Sequence, residues 1–181
     1  MKMAGSFFLV GPMGAGKSTV GRRLAQALRQ QFIDCDKELE RRTGASIPLI
    51  FELEGEAGFR AREKALVDEL TQQPNIVLAT GGGVVLDPDN RRCLAERGYV
   101  IYLQTSVDEQ LRRIGKDPNR PLLQTDDPHA KLASILALRA PLYCEVADLI
   151  VSTDGCNARQ LTSRIIHCLP KTVSCYTQDD L

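Results

Sequence analysis

The sequence has no long hydrophobic run. No window approaches the roughly 18 apolar residues of a membrane span, and the apolar stretch at residues 7–10 is too short for a secretory leader. A membrane partner is therefore not expected, and a cytoplasmic location is. Net charge is missing too: 23 basic residues balance 23 acidic ones. Bulk charge thus offers no polyanion-binding surface, and nucleic acid is not an expected partner. The six cysteines show neither Cys-x-x-Cys spacing nor clustering with the two histidines. Zinc and disulfide frameworks are disfavoured, and reduced thiols are the expectation. Internal repeats and low-complexity linkers are absent as well, so the 181 residues read as one domain.

What is present is an alternation of short apolar runs with amphipathic segments. Residues 6–10, 31–34, 76–80, 99–103 and 148–152 read as buried strands. Helical patterns occupy about 17–29, 47–72, 88–97, 106–114, 128–145 and 157–168. Nearly continuous apolar strands alternating with helices predict an α/β fold, a parallel sheet covered on both faces. Residues 36–72 are longer than one crossover needs and are expected to hold two or three helices. Residues 115–127, polar with two prolines, have the composition of a mobile loop. The tail 171–181 lacks periodicity and is expected to be frayed.

The stretch from Gly11 to Ser18 fits G-x-x-x-x-G-K-[ST] without mismatch and sits between a strand and a helix. Glycines at 11, 14 and 16 let successive N–H groups turn toward phosphate oxygens. The helix beginning near Lys17 adds its N-terminal partial charge. In such a nucleoside-triphosphate site Gly14, Ala15, Gly16, Lys17, Ser18 and Thr19 cradle ATP. Lys17 reaches the β- and γ-phosphates, and the Ser18 hydroxyl is a ligand for Mg²⁺.

Other residues bear on what receives the phosphoryl group. No Asn-Lys-x-Asp segment reads guanine, and the third strand ends in Thr-Gly-Gly-Gly rather than in a metal-binding aspartate. Carboxylates instead stand at Asp34 and Asp36, where period-two alternation sends both side chains to one side of the second strand. Either could support the metal or take a proton from an acceptor hydroxyl, or could merely cap the helix that follows. Arg60 and Glu63 share a helix face: either an exposed ion pair or a carboxylate orienting an arginine that clamps an anion. Arg120 lies in the polar loop and Arg139 just ahead of Pro141.

Taken together, "GPMGAGKST", "DCD", "FRAREKAL", "ATGGG", "NRPLL" and "RAPLYCEVAD" resemble shikimate kinase, in the same order and spacing from about Phe7 to His167. The resemblance implies a three-layer P-loop NTPase fold with a five-stranded parallel sheet in the order 2-3-1-4-5. It implies a single domain over 1–170, with a substrate-binding insertion at about 34–63 and a lid at about 113–127. The implied reaction is ATP-dependent, Mg²⁺-assisted phosphorylation of the 3-hydroxyl of shikimate by a monomer. Asp34 then supports the metal, Asp36 is the candidate base, and Arg60 and Arg139 hold the shikimate carboxylate with Glu63 orienting Arg60. Arg120 is the lid arginine, and Arg113 resembles the one near adenine. Another small P-loop kinase, or an ATP-binding module without catalysis, is the rival reading. Gly81, Gly82 and Gly83 lack a following Lys-Ser/Thr and so do not make a second triphosphate cradle. Beside Asp36 and Arg60 they read as a wall of the acceptor pocket, with the Gly82 N–H as a donor.

Overall fold

A computed structural model of the protein describes residues 5–114 and 126–170. Most of the expected lid, including Arg120, and all of the tail 171–181 lie outside these residues. In chain order the elements are β1 (Phe7–Val10), α1 (Lys17–Leu28), β2 (Gln31–Asp34), α2 (Cys35–Thr43) and α3 (Ile47–Leu70). There follow β3 (Ile76–Ala79), a 3₁₀ turn at Val84–Leu86, α4 (Pro88–Arg97) and β4 (Tyr99–Gln104). The chain continues with α5 (Val107–Ile114), α6 (Pro128–Val146), β5 (Leu149–Ser152) and α7 (Ala158–Cys168). The five strands are all parallel, in the order β2-β3-β1-β4-β5, as the resemblance implied.

The strand alternation decides which helix covers which face. Phe7 and Leu9 of β1 join Val77, Ile101 and Leu103 on one face, against Val20 and Leu24 of α1 and Leu161 and Ile165 of α7. Phe8 and Val10 point the other way, with Leu78, Val100 and Tyr102, toward Leu39, Val67, Leu94 and Tyr143 of α2, α3, α4 and α6. All four β1 residues are buried. Burying each such side chain stabilises the fold by roughly 1.5–3 kcal/mol, so β1 is a rigid base for the loop that leaves it.

Helix boundaries follow local chemistry. Asp34, Ser46, Asp87, Asp127 and Asn157 each accept a hydrogen bond from a backbone N–H in the first turn of the helix they cap. The long expected crossover holds α2 and α3. Gly55 breaks α3 with φ 70 and ψ −176, a conformation that L residues with side chains avoid. Residues 35–70 thus form three helical pieces. No helix among the described residues is long and apolar enough to cross a membrane.

Candidate active site

The first component is the loop between β1 and α1. Gly11 has φ +143, and a Cβ there would stand 2.6 Å from the Leu103 carbonyl oxygen, so neither backbone nor space admits a side chain. Gly16 closes the loop in the left-handed conformation and caps α1 without a side-chain hydrogen bond. The first N–H groups of α1 therefore face the pocket uncovered by a capping side chain, a ready anion site. Lys17 Nζ arches back to the carbonyls of Gly11 at 2.7 Å and Pro12 at 2.8 Å. Gly14, Gly16, Lys17, Ser18 and Thr19 line a cavity of about 580 Å³; Ala15 is buried beneath it.

Arg113 of α5 bridges this loop to the segment after β5. Its guanidinium donates to the Gly14 carbonyl at 3.0 Å and the Thr153 carbonyl at 3.1 Å. Glu109, one turn earlier, holds it at 2.7 Å. Below, the buried hydroxyls of Thr105 and Thr153 meet at 2.8 Å.

The two aspartates reach the cavity by different routes, which corrects the strand argument. β2 ends at Asp34, and Asp36 already belongs to the first turn of α2. Strand alternation cannot explain their shared side, because the backbone changes from extended to helical between them. The helix turn does so instead, and both line the cavity. Asp34 caps α2, its Oδ1 accepting from the Lys37 N–H at 3.2 Å, while its Oδ2 accepts from the Ser18 hydroxyl at 2.5 Å. Burial pushes the Asp36 carboxyl above its ordinary range; the Asp34 charge adds to this, and Lys17 opposes it. Cys35, between them, is buried, and burial with the surrounding acids raises its thiol well above the usual range. It stays a neutral core group.

On α3, Arg60 Nη1 donates to Glu63 Oε2 at 2.6 Å. This is not an exposed pair, since Glu63 is 4% exposed. Burial raises the Glu63 carboxyl, and the Arg60 charge opposes that shift. Arg60 also lies 5.1 Å over the Phe59 ring, and Phe51 packs on Phe59 at 4.7 Å. Ile47, Phe51 and Phe59 add an apolar side to the cavity; sequence reasoning did not select them. Phe59 lies inside the "FRAREKAL" stretch and could have been found there.

The glycine triplet joins these pieces. A Cβ on Gly81 would stand 3.0 Å from both Asp36 Oδ1 and Glu63 Oε1, and one on Gly83 would stand 2.5 Å from Arg60 Nη2. At Gly82 the nearest atoms are the Met13 N at 3.5 Å and Arg139 Nη1 at 3.6 Å. None of the three has a positive φ, so they are glycine for space and not for backbone strain. Behind them Tyr143 of α6, fully buried, donates its hydroxyl hydrogen bond to the Gly82 carbonyl. Tyr143 was also missed by sequence reasoning; its signal was a tyrosine one helical turn after Arg139. Glu63 Oε1 and Arg139 Nε are buried without a hydrogen-bond partner among the described residues. Such orphans call for a ligand or water. The cavity thus presents a phosphate cradle at one end, and two carboxylates and two arginines at the other.

Comparison with known proteins adds to this geometry. The shikimate kinase family model matches residues 13–170. The shikimate kinase of Halorhodospira halophila is 60% identical over 162 residues, covering 90% of this chain and 92% of that protein. The shikimate kinase of Methylococcus capsulatus is 55% identical over 172 residues, covering 95% of this chain and 96% of that protein. A solved shikimate kinase from Acinetobacter baumannii in complex with shikimate has a TM-score of 0.87 and 52% identity. It covers 90% of this chain and 91% of that one.

Proposed function

We propose how the cavity works from one premise: this chain belongs to the shikimate kinase family and catalyses ATP-dependent phosphorylation of shikimate. ATP lies with its phosphates on residues 14–19 and the N-terminus of α1, with Lys17 against the β- and γ-phosphates. Arg113 borders the nucleotide. Arg60 and Arg139 hold the acceptor carboxylate; guanidinium forks suit that group. Glu63 keeps Arg60 aimed. Asp36 faces the 3-hydroxyl and takes its proton as the oxygen attacks the γ-phosphorus in line, and the β–γ bridging oxygen leaves with ADP. The raised Asp36 carboxyl makes it a better proton acceptor than an ordinary aspartate once ionised. Arg120, outside the described residues, belongs to the lid in this reading and stabilises transferring charge.

Ser18 and Asp34 suit Mg²⁺, which takes hard oxygen ligands and usually one or two carboxylates beside substrate phosphates. Their oxygens already converge at 2.5 Å. The ion supplies charge neutralisation at the phosphate oxygens.

The observation that carries this reading is the pair of buried orphans, Glu63 Oε1 and Arg139 Nε, on the acceptor side of a phosphate loop. A coupled ADP-release assay with MgATP tests the function, using shikimate, gluconate and nucleoside monophosphates as acceptors. Release dependent on shikimate is expected; equal rates with and without it would refute the proposal.

A further inference from the structure

The Gly81-Gly83 wall needs something to hold it. A peptide between two glycines has no Cβ on either side, so little steric resistance opposes its turning over. If the Gly82–Gly83 peptide turned, the Gly82 carbonyl would enter the cavity and set a negative dipole against the carboxylate held by Arg60 and Arg139. Tyr143 lies four residues after Arg139 on α6, one turn along the same helix face, and its hydroxyl donates to the Gly82 carbonyl. The tyrosine is 0% exposed, and its ring packs against Tyr102 of β4 at 5.0 Å between centroids. The donor is thereby fixed to the sheet. Burial pushes its hydroxyl pKa up to about 12, while the charge of nearby Arg139 acts in the opposite direction. At any physiological pH the phenol keeps its proton to donate.

We infer that Tyr143 is a positioning residue for the acceptor: its hydroxyl locks the Gly82 carbonyl out of the cavity and keeps the Gly83 N–H turned into it. Across a trans peptide the carbonyl and the N–H point in opposite directions. Gly83 borders the cavity, whereas Tyr143 lies behind the wall. Tyr143 and Arg139 stand one turn apart on α6, so one helix carries both the wall's lock and one arm of the carboxylate clamp. The inference rests on the shikimate-kinase reading above.

The test is steady-state kinetics of Tyr143→Phe, which keeps the ring and its packing. Loss of one buried neutral hydrogen bond predicts a shikimate KM raised about three- to tenfold. The ATP KM should stay within about twofold, because the phosphate loop does not depend on this bond. Equal rises in both KM values would mean general loosening and would overturn the inference, as would no change in either. NMR of the wild-type protein gives a readout independent of the variant's folding. Saturating shikimate without ATP should move the Gly83 amide proton resonance, and an unmoved resonance overturns the lock. Wild-type turnover of shikimate is the reference: its absence refutes both readings, whereas unaltered kinetics in Tyr143→Phe refute only this one.

Discussion

Gly83→Ala separates the acceptor clamp from everything else in the molecule. Gly83 has φ −96 and ψ 0, a conformation alanine adopts without a positive-φ penalty. The new methyl would stand 2.5 Å from Arg60 Nη2, 2.6 Å from Nη1 and 2.8 Å from Cζ. Ordinary contact begins near 3.4 Å, so the guanidinium must retreat by about 0.9 Å. It is the far end of a flexible side chain, and the fold itself yields little. Replacing glycine at a compatible position restrains the unfolded chain and contributes about 0.4–1 kcal/mol of stability, offsetting part of the local crowding. The clamp fares worse. Arg60 Nη1 sits 2.6 Å from Glu63 Oε2, and a retreat of that size takes it out of hydrogen-bond range or off its line to the acceptor. Loss of one charge-assisted hydrogen bond is worth about 1.5–3 kcal/mol, so the shikimate KM should rise roughly ten- to a hundredfold. Coupled ADP release, with shikimate varied at saturating ATP and then the reverse, measures it. The ATP KM should stay within about twofold and the Tm within a few degrees. A folded Gly83→Ala enzyme with a wild-type shikimate KM would refute the placement of Arg60 in the clamp.

Asp36→Asn should lower turnover at least about a hundredfold while leaving ATP binding nearly intact; near-normal turnover would remove Asp36 from the role of base. The same change should raise the Tm of the unliganded protein at neutral pH. The Asp36 and Glu63 carboxyls are raised in the fold by burial, so the folded state holds more protons than the unfolded state between the ordinary carboxyl values and the raised ones. Their stability contribution is therefore full below the unfolded values and is lost as pH rises through the folded ones. Thermal melts of wild type and Asp36→Asn across that window should converge at acidic pH, and parallel curves would contradict the burial argument. Arg60→Ala should mainly raise the shikimate KM, and a rise in the ATP KM instead would reassign its partner. Phe8→Ala, which empties a fully buried site on β1, should cost about 3–5 kcal/mol in urea unfolding; a loss under 1 kcal/mol would mean that the core collapses around it.

Much of the architecture was legible because it rests on local periodicity. Continuous apolar runs such as Ile76–Ala79 marked buried parallel strands, and "GPMGAGKST" announced its own loop because each glycine there serves backbone geometry. Element boundaries were nearly right for the same reason: caps such as Asn157 with Gln160 act within four residues. Composition alone did not give the strand order, which entered through resemblance. The aspartates show a local rule failing: period-two alternation put Asp34 and Asp36 on one side by an argument that the onset of α2 at Cys35 invalidates.

Taken by itself, the sequence determined the elements, the phosphate loop and the identity of the charged groups near it, because these depend on neighbours within a few residues. The tertiary structure alone decided what those groups are to one another. Arg60 with Glu63 reads on periodicity as an ordinary surface pair, and only the packing of α3 onto the sheet makes Glu63 buried. Tyr143 was one more apolar position on a helix until α6 brought its hydroxyl to Gly82, 61 residues away in the chain. The three glycines carried no sign of which side chains would occupy the space they leave. Burial and contact between distant segments set the charge, the orientation and the partners of a side chain, and they exist only once the layers have packed.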